Sequence, residues 1–480
     1  MTQPRICDTL VAHEKSNALE ELEHVHPSNS SPLPSEYDPP DGGFWAWATV
    51  FGCFLIQFCG FGYVSSYGVY QDFYTRIYLA NQPPEYTYTL ESVVSVTVRW
   101  IGALTSFLAD SVTLISGPLY DRGWFYQLMI VGSALQSISL FALSLAKPGQ
   151  FYLIFIVQGI LSGIGMGITY GPCMAVISQH FSKRRTLVMS LVASGSPMGA
   201  VVHPIMLNHL LNGTVGFERG VRASAGFVSA LLLISCLSMR TRALSMSKPT
   251  TSYNAAVRKC SRDVFFILIT AGSTIFQIGY YFPIFYLQLD SIKHGIDVHF
   301  SFYSLVIMNA ACVVGRCTAG IIAAYTGALN FTMVSTLACS ALIICMIALS
   351  DVAGVIVLGL GYGYFSGVYV ALMVPLVTVF TPDLSELGAR FGICFAFTAF
   401  GGLLGGPISG ALLSSQYRWW IASLFSGVSS FALFPHHAEM FIYRDKLICF
   451  VGSSMFVVMR LMIYRRRKTE ETLATHNALK

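Results

Sequence analysis

The sequence predicts an all-helical membrane protein, with twelve transmembrane helices arranged in two six-helix lobes. Three observations carry that prediction. Of 480 residues, 54% are hydrophobic and 11% charged, at a mean hydropathy of +0.60, whereas soluble domains carry roughly 25% charged residues. Apolar runs of about 20 residues, the length a spanning helix needs, recur along nearly the whole chain. One long basic break, 241–261, divides those runs six and six, as in two-halved carriers. The runs are continuous and rich in Leu, Ile, Val, Phe, Gly and Ala. Barrel strands would alternate instead.

Residues 1–43 contain Pro32-Leu33-Pro34-Ser35-Glu36 and the acids Glu14, Glu20, Glu21 and Glu23, with no apolar run and no signal-peptide core. They read as a disordered cytoplasmic tail. Spans one to six fall near 44–68, 91–117, 124–146, 151–177, 186–210 and 222–240, forming an N-terminal lobe over 44–240. After the linker 241–261 come spans near 262–288, 301–324, 328–350, 352–379 and 391–414, and a last one within 418–463. These form a C-terminal lobe over 262–463, followed by a cytoplasmic tail over 464–480. Gly159, Gly163 and Gly167, and again Gly195 and Gly199, are spaced so that helix backbones can approach closely. Pro172, Pro197, Pro204, Pro283, Pro375 and Pro407 bend or break helices where neighbours can satisfy the freed backbone.

Lys and Arg set the orientation. Arg240, Arg242, Lys248, Arg258, Lys259 and Arg262 crowd the linker, Lys183-Arg184-Arg185 follow span four, and Arg465-Arg466-Arg467-Lys468 close the last span. An even span count puts all three clusters on one side, the cytoplasm. The net charge of +5 therefore reflects topology and does not point to nucleic acid. Twelve cysteines lie scattered, without CxxC pairs or metal-ligand spacing, and read as small packed apolar groups. No cofactor is expected. There is no phosphate-binding Gly-rich loop and no convergent His, Asp or Glu cluster, which argues against ATP hydrolysis and against a membrane enzyme. Asn212-Gly213-Thr214 is a glycosylation sequon on the expected outer side.

Arg316 sits inside the apolar run from Phe302 to Gly315. A guanidinium near mid-bilayer costs from about 2.5 to above 10 kcal/mol, so such groups face a bundle interior or a wet cavity. Its planar fork suits a carboxylate, and it reads as an anion-binding group; pairing to another helix or snorkelling is the alternative. Asn309, two turns earlier, shares nearly the same face and either donates to a ligand or bridges helices. Asp110 in span two is a candidate proton carrier or a helix-bridging group, with Arg99 about three turns away. His203, beside Pro204, either titrates or packs.

Gly117-Pro118-Leu119-Tyr120-Asp121-Arg122-Gly123 resembles the cytoplasmic loop motif of the major facilitator superfamily. The resemblance implies that Asp121 grips a helix N-terminus, with Arg122 beside it, and latches the outward-open state. A carboxylate so placed gains about 0.3–1 kcal/mol. Asp38-Pro39-Pro40-Asp41-Gly42-Gly43-Phe44-Trp45-Ala46-Trp47 resembles the acidic-Gly-Gly-aromatic opening of monocarboxylate porters, with Asp41 in a gating role. The stretches from His180 to Gly199 and from Tyr364 through Gly392 are similar to that family too, closest to its fungal branch. The resemblance further implies that Arg316, in Gly315-Arg316, binds the substrate carboxylate. It also implies that Tyr67, Tyr170, Tyr281 and Phe365 come from spans bordering a central cavity.

Three departures matter. Animal-type relatives place an Asp four residues before this Arg, where Cys312 stands here, and a Lys in span one, whereas no Lys occurs between Lys15 and Lys147. The second copy of the loop motif, Gly320 to Gly327, has Ala324 and Tyr325 for the charged pair. Residues 429–450 break the last span with His436, His437, Glu439, Arg444, Asp445 and Lys446, and read as an insertion, such as retained untranslated sequence. The resulting expectation is a plasma-membrane carrier of an organic monocarboxylate or related organic anion by alternating access, with H+ as the family's usual partner. Export of a secondary metabolite and a transport-inactive nutrient sensor are the alternatives. No residue establishes an accessory subunit.

Overall fold

The computed structural model describes residues 41–74, 101–147, 150–242, 253–349, 351–381, 386–413 and 419–429, and all its regular structure there is helical. Among the described residues, ten helices are long and apolar enough to cross a membrane. They are Phe44–Gln71 (span one), Phe125–Leu143 (three), Tyr152–His180 (four), Arg185–Asn212 (five), Gly216–Ser238 (six), Val264–Lys293 (seven), Phe300–Thr326 (eight), Ala328–Ala348 (nine), Val352–Val379 (ten) and Leu387–Leu413 (eleven). Helical turns over 101–121 and the helix Trp419–Ser429 stand where the second and twelfth spans are expected. Arg99, the tail 1–40 and everything after Ser429, including nearly all of the expected insertion, lie outside the described residues.

Local chemistry explains the helix ends. Asp263, Asp297 and Asp351 are the N-caps of spans seven, eight and ten, each accepting from the amide three residues on. Span one breaks at Gly60. Span four opens with a π-helical stretch, Phe155–Leu161. Span five is two helices, Arg185–Ala193 and Gly195–Asn212, separated at Ser194. The linker differs from its expectation as a plain break, because it contains a helix, Tyr253–Cys260. Lys259 of that helix pairs with the buried Glu386 at the start of span eleven.

Glycines set how near the helices come. A Cβ on Gly165 would stand 2.8 Å from the Gln136 amide of span three, and one on Gly163 2.9 Å from the Thr105 carbonyl of span two. Gly367 packs on Cys312, so spans eight and ten run backbone against backbone. The first six helical segments meet the last six mainly along two seams, span two against eleven and span five against eight.

Candidate functional site

The two–eleven seam is tightest at the ends carrying the basic clusters. There Gly117 lies against the Gly388 carbonyl, and a Cβ on Gly392 would come within 2.6 Å of the Thr113 carbonyl. This approach lets Asp121 reach across the seam. Its Oδ1 accepts from the Gly388 amide at 3.0 Å and its Oδ2 from the Ala389 amide at 2.9 Å. Those are orphan donors of the first turn of span eleven, where the helix dipole favours an anion. Arg122 is exposed beside it, without an ion pair among the described residues. Deeper, Arg390 donates to Asp263 at 2.8 Å and stands 5.3 Å above the Phe266 ring. The sequence pointed to no site role for Arg390 or Glu386, and to Lys259 only as one of the linker cations that set the orientation. The Glu386 to Arg390 spacing of one helical turn was the available signal.

Asp41 also gathers backbone amides on one carboxylate, here those of the turn that precedes span five. In the left-handed region at φ 48°, which Asp tolerates, its Oδ1 accepts from the Ser182 amide at 2.7 Å, the Lys183 amide at 3.0 Å and the Arg184 amide at 3.5 Å. Partial burial acts to raise the Asp41 pKa, but these three amides, with the Lys183 charge, hold it below the ordinary value of 3.8. Both partners lie in the first six spans, whereas Asp121 joins the first six to the last six.

At the five–eight seam, Gly320 approaches span five so closely that a Cβ there would be 2.5 Å from the Leu187 Cα. One turn back, Arg316 is only 7% exposed. Its Nη1 donates to the Ala193 carbonyl at 2.7 Å, and its buried Nε has no hydrogen-bond partner. Among the described residues it forms no ion pair, so the charge is held by a backbone dipole of another span.

Near it the structure places two predicted residues, Tyr170 and Tyr281, which also lie near Asp110. Tyr170, packed between Phe61 at 4.8 Å and Phe395 at 5.0 Å, lies within electrostatic reach of both Asp110 and Arg316. Tyr281, stacked on Phe285 at 5.3 Å, reaches the same two charges. Asp110 is half-buried, and its carboxylate has no hydrogen bond or ion pair among the described residues. It borders a narrow cleft with Phe107, Tyr281, Phe285, Leu403 and Pro407. At 1.5 Å per residue, those positions lie roughly 15–30 Å from the Asp121 end, so the cleft sits in the middle and far part of the bundle while the basic ends are shut.

The other candidates lie elsewhere or look inward. His203 is fully buried in a cage of Phe58 at 4.8 Å, Tyr63 at 5.3 Å and Phe227 at 6.1 Å, with Nε2 on the Phe58 carbonyl. The Asn309 amide donates to Leu305 of its own helix at 2.9 Å. Tyr67 packs on Gly102 of span two, and Phe365 sits edge-on to Tyr364 at 5.3 Å. Asn212 is exposed at the last turn of span five. Among the described residues no group of three His, Cys, Asp or Glu side chains suits a metal ion.

The Major Facilitator Superfamily model matches residues 50–365. Similar curated proteins include the agnestins efflux protein of Paecilomyces divaricatus, 31% identical over 84% of this chain and 87% of that one. Another is the aspyridones efflux protein of Emericella nidulans, 29% identical over 89% and 82%. Among solved structures, the fucose:proton symporter of E. coli aligns at a TM-score of 0.62 with 13% identity, over 81% of this chain and 97% of that one. This last likeness concerns the fold alone.

Proposed function

The chain belongs to the major facilitator superfamily, and from that premise we propose that it exports an organic anion of the secondary-metabolite class by alternating access. It is a multi-pass membrane transporter and not an enzyme. In this reading 44–240 and 262–463 are the rocking lobes, 241–261 the linker, and the basic ends face the cytoplasm at the plasma membrane. The carrying observation is Arg316, a buried guanidinium with an unpartnered Nε in a membrane-spanning helix, within electrostatic reach of Tyr170 and Tyr281. A desolvated donor of that kind is strongly improved by an incoming carboxylate or enolate. The direction rests on the efflux named for the relatives.

Asp110 supplies the coupling. Bare in the cleft and away from the closed ends, it takes a proton from the far side. Neutralised, it crosses the cycle, and it releases the proton to the cytoplasm while the anion leaves by the opposite path. His203, caged by aromatic rings, serves packing. Of the two amide-binding acids, Asp121 gates, because it crosses the seam, and Asp41 staples one lobe. A second reading, uptake of a monocarboxylate, is favoured by the Gly315-Arg316 pair and by the opening motif around Asp41.

Everted plasma-membrane vesicles with an acid lumen test the proposal. A panel of short monocarboxylates and aromatic acids should include anions that accumulate in the lumen. Accumulation should be lost in Arg316→Gln and lose its dependence on the pH gradient in Asp110→Asn. Accumulation indifferent to Arg316→Gln refutes the site. Binding without flux would favour the nutrient sensor instead.

A further inference from the structure

Span five is interrupted at Ser194, and the consequence for Arg316 follows from counting. In an α-helix the carbonyl of residue i receives the N–H of residue i+4. For Ala193 that residue is Pro197, which has no N–H. The Ala193 carbonyl is therefore left without its helical donor at the break between Arg185–Ala193 and Gly195–Asn212. It is also the acceptor of the Arg316 Nη1 bond, at 2.7 Å. The other intrahelical prolines free the corresponding carbonyls of Leu114, Ile168, Ala200, Gly279, Ala371 and Leu403. None of these receives a side-chain donor among the described residues.

We infer that Pro197 is a positioning residue for Arg316: by removing one amide from span five it makes the carbonyl that holds Nη1, and so aims the unpartnered Nε edge of the guanidinium at the ligand. A guanidinium offers five N–H donors in a fixed fork. Tying one corner to a rigid backbone dipole settles where the rest point. It leaves the Nε edge for a carboxylate and removes the rotamer search that a free arginine would make on binding. The bond also tethers span eight to span five at one point, so the orientation holds only while that seam is closed. This inference rests on the anion-binding reading of Arg316.

The test uses purified full-length protein and benzoate as the anion probe, with affinity read from the shift benzoate produces in thermal unfolding. Pro197→Ala restores an N–H that reclaims the Ala193 carbonyl, and should weaken benzoate about tenfold, the loss expected for one hydrogen bond to a charged group. Lactate at position 197, introduced as a backbone ester, lacks the N–H as proline does and should restore wild-type affinity. Pro204→Ala, one helix repeat further on, should leave it unchanged. In an Arg316→Gln background, Pro197→Ala should add nothing. Unchanged affinity in Pro197→Ala, or failure of the ester to rescue, overturns the positioning role while Arg316→Gln still weakens benzoate. No benzoate shift in the wild type, or an equal one in Arg316→Gln, defeats the anion reading itself. If Pro197→Ala does not fold, the ester and Arg316→Gln arms carry the same decision, since an ester that folds yet binds benzoate as weakly as Arg316→Gln overturns the inference.

Discussion

In the proposed cycle Asp121 sets the balance between the closed and open forms of the basic ends, and its removal gives the sharpest forecast. Its carboxylate accepts two amide bonds, at 3.0 and 2.9 Å, from the first turn of span eleven. Losing a helix cap costs about 0.5–2 kcal/mol, and losing the charge at the positive end of the dipole about 0.3–1 kcal/mol. Water reaches this half-exposed site and replaces part of both, so Asp121→Ala should shift the equilibrium by about 2 kcal/mol, a factor of about 30. Asp121→Asn keeps an acceptor and loses the charge, for a shift of about 1 kcal/mol, or fivefold. Nitroxides at Trp124 and Arg258, both exposed and on opposite sides of the seam, report the two forms by pulsed dipolar EPR. The long-distance population should grow in the order wild type, Asn, Ala. Asp41→Ala should not move it, because Asp41 binds residues 182–184 of its own half. An unchanged distribution in a folded Asp121→Ala protein, or an equal shift in Asp41→Ala, would refute the latch.

Gly392→Ala places a methyl 2.6 Å from the Thr113 carbonyl, a backbone atom that cannot step aside, so flux should fall at least tenfold and the same spin-label distance should lengthen. Asp41→Asn should lower stability by about 1 kcal/mol at neutral pH. Since the folded Asp41 pKa is depressed, its contribution is full above the ordinary value of 3.8 and disappears as pH falls through the folded value, so wild-type and variant melting curves should converge in acid. Asn212→Gln in a eukaryotic host should abolish an endoglycosidase-sensitive mobility shift if the exposed Asn212 lies outside; a shift that persists would place the glycan elsewhere.

The spans were legible because bilayer thickness imposes a run length that composition alone reveals, and Arg316 because a charge inside such a run has few explanations. Asp121 was legible through its motif, which names the receptor as a helix end. What escaped was long in sequence. The acceptor of Arg316 is a carbonyl 123 positions away, and the Asp263–Arg390 pair spans 127; neither leaves a periodic trace. The linker helix was hidden because Tyr253–Cys260 is only eight residues long, too short to show a stripe above its basic residues. His203 remained open between titration and packing because its aromatic cage is built from residues of other spans, Phe58, Tyr63 and Phe227.

Asp41 and Asp121 each hold backbone amides on one carboxylate, Asp41 in the turn before span five and Asp121 in the first turn of span eleven, and the consequences differ because of topology. Span five has no side-chain cap of its own at Arg184, and Asp41, from within the same half, fixes the turn that leads into it by accepting from the amides of residues 182–184. That bond never has to break as the halves rock, and three amides on one carboxylate suit a permanent joint. Asp121 meets two amides across the seam, at a membrane surface where water takes over as the helices part. Its release therefore costs about 2 kcal/mol and not the full desolvation of a buried charge. A ligand can supply that much by binding one state about 30-fold better than the other, which is within reach of a single carboxylate on an oriented guanidinium.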